Sequence, residues 1–425
     1  MIGVLLMIGC TVVAQDTPRP SVDHVPEVRR LIRQLDSPQL ERRNEAEAAL
    51  IKLGPDILPL LPAEQKRHSA EVWQRLGRVR QALEQQLAKA TVEASRVTIV
   101  KNQIKLSELL KEIERQTDNR IIDARGQFGQ NQTDPTLNVD FDKTPFWTVM
   151  DEVMDQADLT VYPFGAEQAV YLVDRPSRGS TAPSDTCTDG PFRFVPVELI
   201  SRRMLNRPDS GTLRLGMLIM WEPRMTPIGL TQKLSEVSAV DEKGTPLSVE
   251  SPSGELDAAI NPKATAVRFS LPFDLPPRDV RQIAKLTSTI DALVPGRTET
   301  FRFDGLPKAT DVQKRVASAT VTLKGMHKNN DIWEVTVNVR FDEAGDALAS
   351  HRGWIFANEA YLEGPDGKRL ENEGFETKMQ TENEVGLAYF FFLEDSPDKY
   401  KFIYKTPSRI FPAKFKYQFD ELDLP

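Results

Sequence analysis

Proton transfer near neutral pH and metal binding both favour histidine, and the chain carries four: His24, His68, His327 and His351. They stand far apart, so none forms the pair one helical turn apart that a zinc site on a helix needs. His351 lies beside a large aromatic, Trp354, with Tyr361 a few residues on. These three are the side chains through which a ligand or partner would be gripped. Ser396 and Lys399 have the Ser-x-x-Lys spacing that can activate a serine, but they fall in a Pro- and Asp-containing loop with no companion motif, so the spacing reads as coincidence. Asp342-Glu343-Ala344-Gly345-Asp346 gathers acids beside a glycine without the alternating ligands of a calcium loop, and reads as a turn. Glu371-Asn372-Glu373 and Thr381-Glu382-Asn383-Glu384 read as acidic edges that keep strands from pairing with strangers. A carboxylate pair for glycoside hydrolysis is assembled in space rather than in sequence, so that chemistry stays open as an alternative. There is no Gly-x-Ser-x-Gly elbow and no phosphate-cradling loop. No catalytic residue, no cofactor-binding residue and no metal ligand is therefore assigned.

Composition narrows the partners. The 425 residues include 54 Lys and Arg against 62 Asp and Glu, a net charge of −8, which argues against nucleic acid because a phosphate backbone demands a basic face. Hydrophobic residues at 40% can fill real cores, and the length implies several domains. Two cysteines, Cys10 and Cys187, exclude a disulfide scaffold. No apolar run reaches the length of a transmembrane helix. Ile2 to Val13 is apolar, uncharged and short, and Val12 and Ala14 suit cleavage before Gln15, so residues 1–14 read as a signal peptide. A rival reading takes Met7-Ile8-Gly9-Cys10 as a loose lipobox with a lipid anchor at Cys10, and a third takes the segment as a buried first element. Under either export reading the address is periplasmic or cell-envelope-associated, and Cys187, placed in a polar linker, is unpaired.

The elements that must position these residues fall into distinct periods. Between residues 22 and 90 apolar residues recur at helical steps: Val28, Leu31, Ile32 and Leu35, then Ala46, Ala49, Leu50 and Leu53, then Val72, Leu76, Val79, Leu83 and Leu87. Asp36-Ser37-Pro38 and Gly54-Pro55 punctuate them. Helix, Asp-Ser-Pro turn, helix and Leu-Gly-Pro together resemble one HEAT-like repeat, a unit that needs a neighbour to cover its apolar face.

Residues 96–174 repeat at an offset of forty. Val97, Ile99, Leu106, Leu109, Leu110, Ile113, Gln116 and Ile121 correspond to Leu137, Val139, Phe146, Val149, Met150, Val153, Gln156 and Val161. Each copy predicts strand, helix and strand, and together they predict one small open sheet with two helices on one face. Thr144 before Pro145 predicts the cap and first residue of the second helix. Leu106 to Ile113, Gln116-Thr117, Val139-Asp140-Phe141 and Phe146 to Met150 resemble the STN domain, the short N-terminal module of secretins and of some TonB-dependent receptors. The resemblance implies a periplasmic module that binds other envelope proteins without catalysis. The residues C-terminal to it lack the girdled strands of a membrane barrel, which argues against a pore.

Residues 175–191 are rich in Ser, Thr, Pro and Gly and read as a linker. Beyond it the period is two. Strands over 213–221, 266–271, 283–293 and 298–303, with a hairpin turn at Asp241-Glu242-Lys243-Gly244, predict a first β-sandwich over 192–304. Strands over 316–323, 332–341, 360–362, 386–393, 400–404 and 413–419 predict a second over 315–425. Gly386 to Leu393 and Tyr400 to Tyr404 flank a turn, and Phe390, Phe391 and Phe392 predict a central strand covered on both faces. Trp221-Glu222-Pro223-Arg224, Ser350-His351-Arg352-Gly353-Trp354, Tyr404-Lys405-Thr406-Pro407 and Leu422-Asp423-Leu424-Pro425 are similar to words in uncharacterised exported planctomycete-type multidomain proteins, a resemblance that brings no mechanism.

The expected fold class is thus α+β and multidomain: N-terminal helical hairpins, a small duplicated βαβ module and two C-terminal antiparallel, Ig-like β-sandwich domains. The expected function is a non-enzymatic adaptor or scaffold binding envelope proteins. The alternatives are a β-sandwich protein that binds glycan or peptide, and a carboxylate-dependent hydrolase.

Overall fold

The computed structural model describes residues 24–62, 69–176, 186–258, 260–342, 344–349 and 352–425. Residues 1–14, read above as a signal peptide, with Cys10 among them, and His68, Glu343 and His351 lie outside them. The architecture is mixed α+β and mostly strand, in several sheets with few helices. The chain forms two compact units, one ending at Gln86 and the other spanning Leu87–Pro425.

The first unit is helical: α1 (Val25–Gln34), α2 (Leu40–Lys52), a short 3-10 turn (Pro55–Leu60) and α3 (Ala70–Val92), whose last turns belong to the second unit. Val28, Leu31, Leu35, Ala46, Leu50, Ile57, Val72, Leu76, Val79 and Leu83 share one core. The neighbour that a lone helical repeat requires is therefore supplied by α3. Buried Arg75 is held there by Glu47 (2.7 Å) and Asn44 (3.0 Å), and Glu47 also accepts from Arg78 at 2.6 Å.

The second unit opens with the duplicated module, which carries α4 (Leu106–Thr117) and α5 (Phe146–Ala157). The repeat extends into its hydrogen bonds. Gln116 accepts from the Thr98 N–H (2.8 Å) and donates to its carbonyl (3.1 Å); Gln156 does the same to Asn138, at 3.3 and 3.0 Å. Gln103 and Lys143 are both left-handed, as are Asp118 and Asp158 just beyond the two helices. The first N–H of each helix is bound by the other copy: Leu106 N–H to the Pro135 carbonyl, and Phe146 N–H to that of Ser95. The copies are thus related by an approximate twofold. The single sheet expected here is two: Arg96–Lys105 pairs antiparallel with Thr136–Pro145, while Ile121–Asp123, Val170–Asp174 and Leu159–Tyr162 form a separate three-stranded sheet. Thr144 is still strand, and Pro145, not Thr144, is the cap of α5.

Two sheets come next, packed around one core. One orders its strands Ala266–Asp274, Arg207–Trp221, Phe192–Met204 and Cys187–Asp189. The other is built on the long strand Gln282–Pro295, flanked on one side by Ser238–Asp241 and Gly229–Lys233 and on the other by Ile410–Asp423. Phe192, Phe194, Leu215, Met217 and Ile219 from the first meet Leu230, Leu286, Ile290, Phe415, Tyr417 and Phe419 from the second. Alternation of inward apolar and outward polar residues puts every second side chain into that core. The opposite face of the first sheet gives Val195, Leu218 and Met220 to the core of the duplicated module.

A further pair of sheets encloses Phe301, Val321, Val337, Val339, Leu387, Phe402 and Tyr404. Their orders are Thr298–Phe303, Lys401–Pro407, Ala360–Glu363, Arg369–Glu371, and Val312–Val316, Ala319–Asn329, Ile332–Phe341, Glu384–Phe391, Phe375–Gln380.

Several sequence expectations change here. Cys187 is in a strand rather than a linker, half-buried. Strand pairing crosses the connection over 305–314 twice: Ile410–Asp423 returns to pair with Gln282–Pro295 from end to end, and Thr298–Phe303 pairs forward with Lys401–Pro407. The strands at 384–391 and 401–407 do not form a hairpin, because each lies in a different sheet. The strand Glu384–Phe391 is central, as expected, and its consecutive residues 385–389 are buried on both faces; of the three phenylalanines, Phe391 is fully buried, Phe390 partly, and Phe392, past the strand end, is half exposed.

Candidate functional site

Trp354 and Tyr361 are not brought together. Trp354 lies in the short 3-10 turn Gly353–Ala357, buried against Phe341, with its indole N–H donating to the Ala347 carbonyl at 2.6 Å. Tyr361 is partly covered by the Arg369 guanidinium, 4.1 Å above its ring, with Lys405 6.0 Å away. The exposed aromatic row that would grip a sugar is thus not formed by this pair. His351 falls outside the described residues.

Trp354 does border a cleft of about 500 Å³ within the second unit. Ile228, Met225, Ile260 and four prolines, Pro227, Pro262, Pro295 and Pro407, make it mostly apolar, while Arg297, Asn358 and Gln168 supply polar groups. Asn358 is committed to Tyr404 (3.0 Å) and Thr406 (2.9 Å), and Gln168 to the Pro223 carbonyl and Thr226. Among the described residues, the lining offers neither a nucleophile with a base beside it nor an acid, so their chemistry is that of shape and apolar contact with the Arg297 guanidinium.

A second recess, about 570 Å³, is lined by Thr231, Lys233, Glu255, Asp291, Asp346 and Lys414. Asp291 bridges Lys233 (3.1 Å) and Lys414 (3.3 Å), and Lys414 also reaches Glu236 at 2.8 Å. These carboxylates hold both ammonium groups above the usual lysine range, Lys233 through Asp291 and Lys414 through Glu236 and Asp291. A nucleophilic lysine needs the opposite shift. Among the described residues, no group of three or more His, Cys, Asp or Glu side chains converges as metal ligands.

Two of the most deeply embedded charged residues, Glu222 and Arg352, belong to the distinctive words, and they act as joints. Glu222, fully buried, accepts from the Ser95 N–H (2.9 Å), Asn119 (3.1 Å) and Arg224 (2.5 Å). Arg224 turns its other nitrogens to the carbonyls of Thr91 and Glu93, at the end of α3. Cations at a helix C-terminus satisfy carbonyls that the helix leaves open. One Glu-Arg pair therefore ties the end of α3, the duplicated module and the first sheet.

Arg352 does likewise from the other side. It is buried and donates to Thr231 (3.0 Å), Asp257 (3.1 Å) and Asp346 (2.7 Å). Its guanidinium lies so close to Gly229 that a Cβ there would stand 1.4 Å from Nη1. Between the module and the first sheet, Arg193 pairs with Asp151 at 2.7 Å and lies over Trp147. Burial pushes the Asp151 carboxyl above its ordinary value against the pull of Arg193, but it faces a packed joint and lines none of the recesses above. Burial likewise raises the Cys187 thiol, which lowers its thiolate fraction and its reactivity.

The module also carries a surface that periodicity did not indicate. Phe128 and Phe164 are 48% and 60% exposed, and both rings pack against Tyr162, Phe128 tilted at 4.8 Å and Phe164 edge-on at 6.0 Å. These residues stand in loops and at a strand end, where no period marks them; only the rarity of exposed phenylalanine could have. Compared with known proteins, the chain matches no family model, no curated protein and no solved structure.

Proposed function

We propose that this protein is a non-enzymatic adaptor or scaffold of the cell envelope, exported and acting by binding other envelope proteins through its duplicated module. In this reading the module is STN-like, the helical unit is HEAT-like, and the two sheet pairs are Ig-like β-sandwich domains, an assembly akin to exported planctomycete-type multidomain proteins. The observation that carries it is the aromatic trio in which exposed Phe128 and Phe164 flank the partly buried Tyr162. Clustered aromatics in water are costly unless a partner covers them, and aromatic residues dominate the energetics of protein interfaces. Buried Glu222 and Arg352 support the same reading, since they are spent on joints that keep the binding face in a fixed setting.

The test is crosslinking in cells with a photoreactive residue at Gln127, beside the trio, on otherwise intact protein. One dominant envelope protein should be captured, and Phe128→Ser with Phe164→Ser should abolish that capture while leaving the thermal midpoint within a few degrees. Capture that ignores the double variant removes the reading. The alternative, a glycan- or peptide-binding protein, is favoured by the apolar cleft bordered by Trp354 and Arg297. It predicts that a glycan or peptide array yields a ligand whose binding is lost in Arg297→Ala. A carboxylate-dependent hydrolase has weaker support, since Asp291 and Asp346 of the charged recess are engaged by lysines and Arg352.

A further inference from the structure

The strands Phe192–Met204 and Arg207–Trp221 form a hairpin longer than the sheet that holds it. The neighbouring strand Ala266–Asp274 follows it only as far as Thr212, opposite Asp274. Beyond Arg202 and Thr212 the hairpin runs past the end of that strand, through Arg203 opposite Gly211, where the Gly211 carbonyl still accepts from the Leu275 N–H (3.4 Å), to Met204 opposite Arg207. At about 3.3 Å per residue this leaves an arm of about 13 Å. Every residue from Ile200 to Asn206 is exposed. Leu205, at the turn, is 99% exposed, Ile200 51% and Met204 39%. Turn tips in water are ordinarily Gly, Asn, Asp or Ser, whose backbone conformations and hydrogen bonds the turn uses. A leucine there contributes nothing to the packing of its own chain.

Arg202 and Arg203 stand immediately behind that apolar tip. Arg203 reaches the Pro276 carbonyl at 3.3 Å, and among the described residues no ion pair engages either guanidinium. An apolar point backed by arginines is the pattern of an element that enters the boundary of a lipid bilayer: the alkyl groups pass below the headgroups and the guanidiniums stay on the phosphates. We propose that this hairpin tip docks the protein onto an anionic lipid surface. Charge complementarity sets both the partner and the orientation. With a net charge of −8 the chain is repelled by such a surface, and this basic tip is the place where contact becomes attractive. A protein partner fits less well, because a stable protein interface covers about 800 Å² on each side, and a two-stranded tip offers a point, not a face.

The test is co-sedimentation of the full-length protein with vesicles of phosphatidylethanolamine and phosphatidylglycerol, at low and high salt. The protein should sediment with these vesicles at low salt, leave them as salt rises, and ignore pure phosphatidylcholine. Leu205→Asp, at a position that touches nothing, should release it. The paired reversal Arg202→Glu and Arg203→Glu should weaken binding about tenfold or more. Thermal midpoints equal to the parent would show that both variants are folded. Failure of the parent protein to sediment overturns the proposal. So does equal sedimentation of parent and variants, which would assign any binding to another segment such as the apolar N-terminal stretch.

Discussion

At the scale of single residues, the chain concentrates its strongest polar interactions where modules meet. Glu222 is the sharpest instance, because three donors from three segments converge on one buried carboxylate. Replacing it by alanine strands Arg224 and leaves the Ser95 N–H without its acceptor. Breaking a buried pair from one side typically costs about 3–5 kcal/mol. Glu222→Ala should therefore lower the urea midpoint by a corresponding amount, whereas Glu299→Ala, part of a looser 3.6 Å pair with Arg297, should cost less than about 1 kcal/mol. Equal shifts for the two would show that the joint is not where the stability resides. The word Trp221-Glu222-Pro223-Arg224 was conspicuous in the sequence, yet its role was illegible there. Ser95 and Asn119 are far from Glu222 along the chain, and nothing in local pattern declares that they meet. Trp354 and Tyr361 were singled out for a different reason, their bulk near a histidine, and bulk predicts burial at least as well as binding. Arg352, two residues before Trp354, was the more consequential side chain; it stood in a conspicuous word, but its partners Thr231 and Asp257 are far along the chain and local pattern does not declare them.

At the scale of elements, the forty-residue repeat was legible because it rests on the local period of helix and strand, and it proves deeper than the apolar pattern. The Gln116 and Gln156 clamps and the left-handed Asp118 and Asp158 recur at the same offset. What did not show is that each copy completes the other, since reciprocal bonding is a property of two segments in space. The repeat is broken in one electrostatic detail. Arg115 in α4 pairs with Glu112 at 2.5 Å, whereas the equivalent position in α5 is Asp155. Arg115, helped by the Gln116 amide, holds the Glu112 carboxyl down at about 2, against an ordinary 4.5. A folded carboxyl with a depressed pKa binds its proton later than the unfolded one. Its contribution is full above about pH 4.5 and drains away as the pH falls toward 2. The pair is largely solvated, so the expected size is below about 1 kcal/mol. Glu112→Gln should lower the urea midpoint slightly at pH 7, and the difference from the parent should vanish near pH 2. A Glu112→Gln difference that persists unchanged into acid would refute the assignment.

At the scale of the whole chain, the sheets of the second unit are interlocked rather than strung in series. Grouping of the period-two strands on either side of residues 305–314 suggested a boundary, but local period does not report which strand pairs with which. Gln282–Pro295 has Ile410–Asp423 along its entire length, and Phe415, Tyr417 and Phe419 of that strand stand in the core of the sheets formed by residues 187–295. A polypeptide of residues 87–304 should therefore fail to fold, exposing an apolar edge and aggregating, whereas residues 87–425 should give a single cooperative transition. Two independent transitions in the longer polypeptide, or a soluble, dispersed NMR spectrum from the shorter one, would contradict this interlock. The returning strand also sets a clock on synthesis. The sheet built on Gln282–Pro295 cannot close until residues 410–423 have left the ribosome, and at ordinary elongation rates that delay is on the order of ten seconds. For that interval a long apolar strand edge waits unpaired in a growing chain. This protein is thus one whose yield should depend on how fast it is translated and on which chaperones are at hand during the wait.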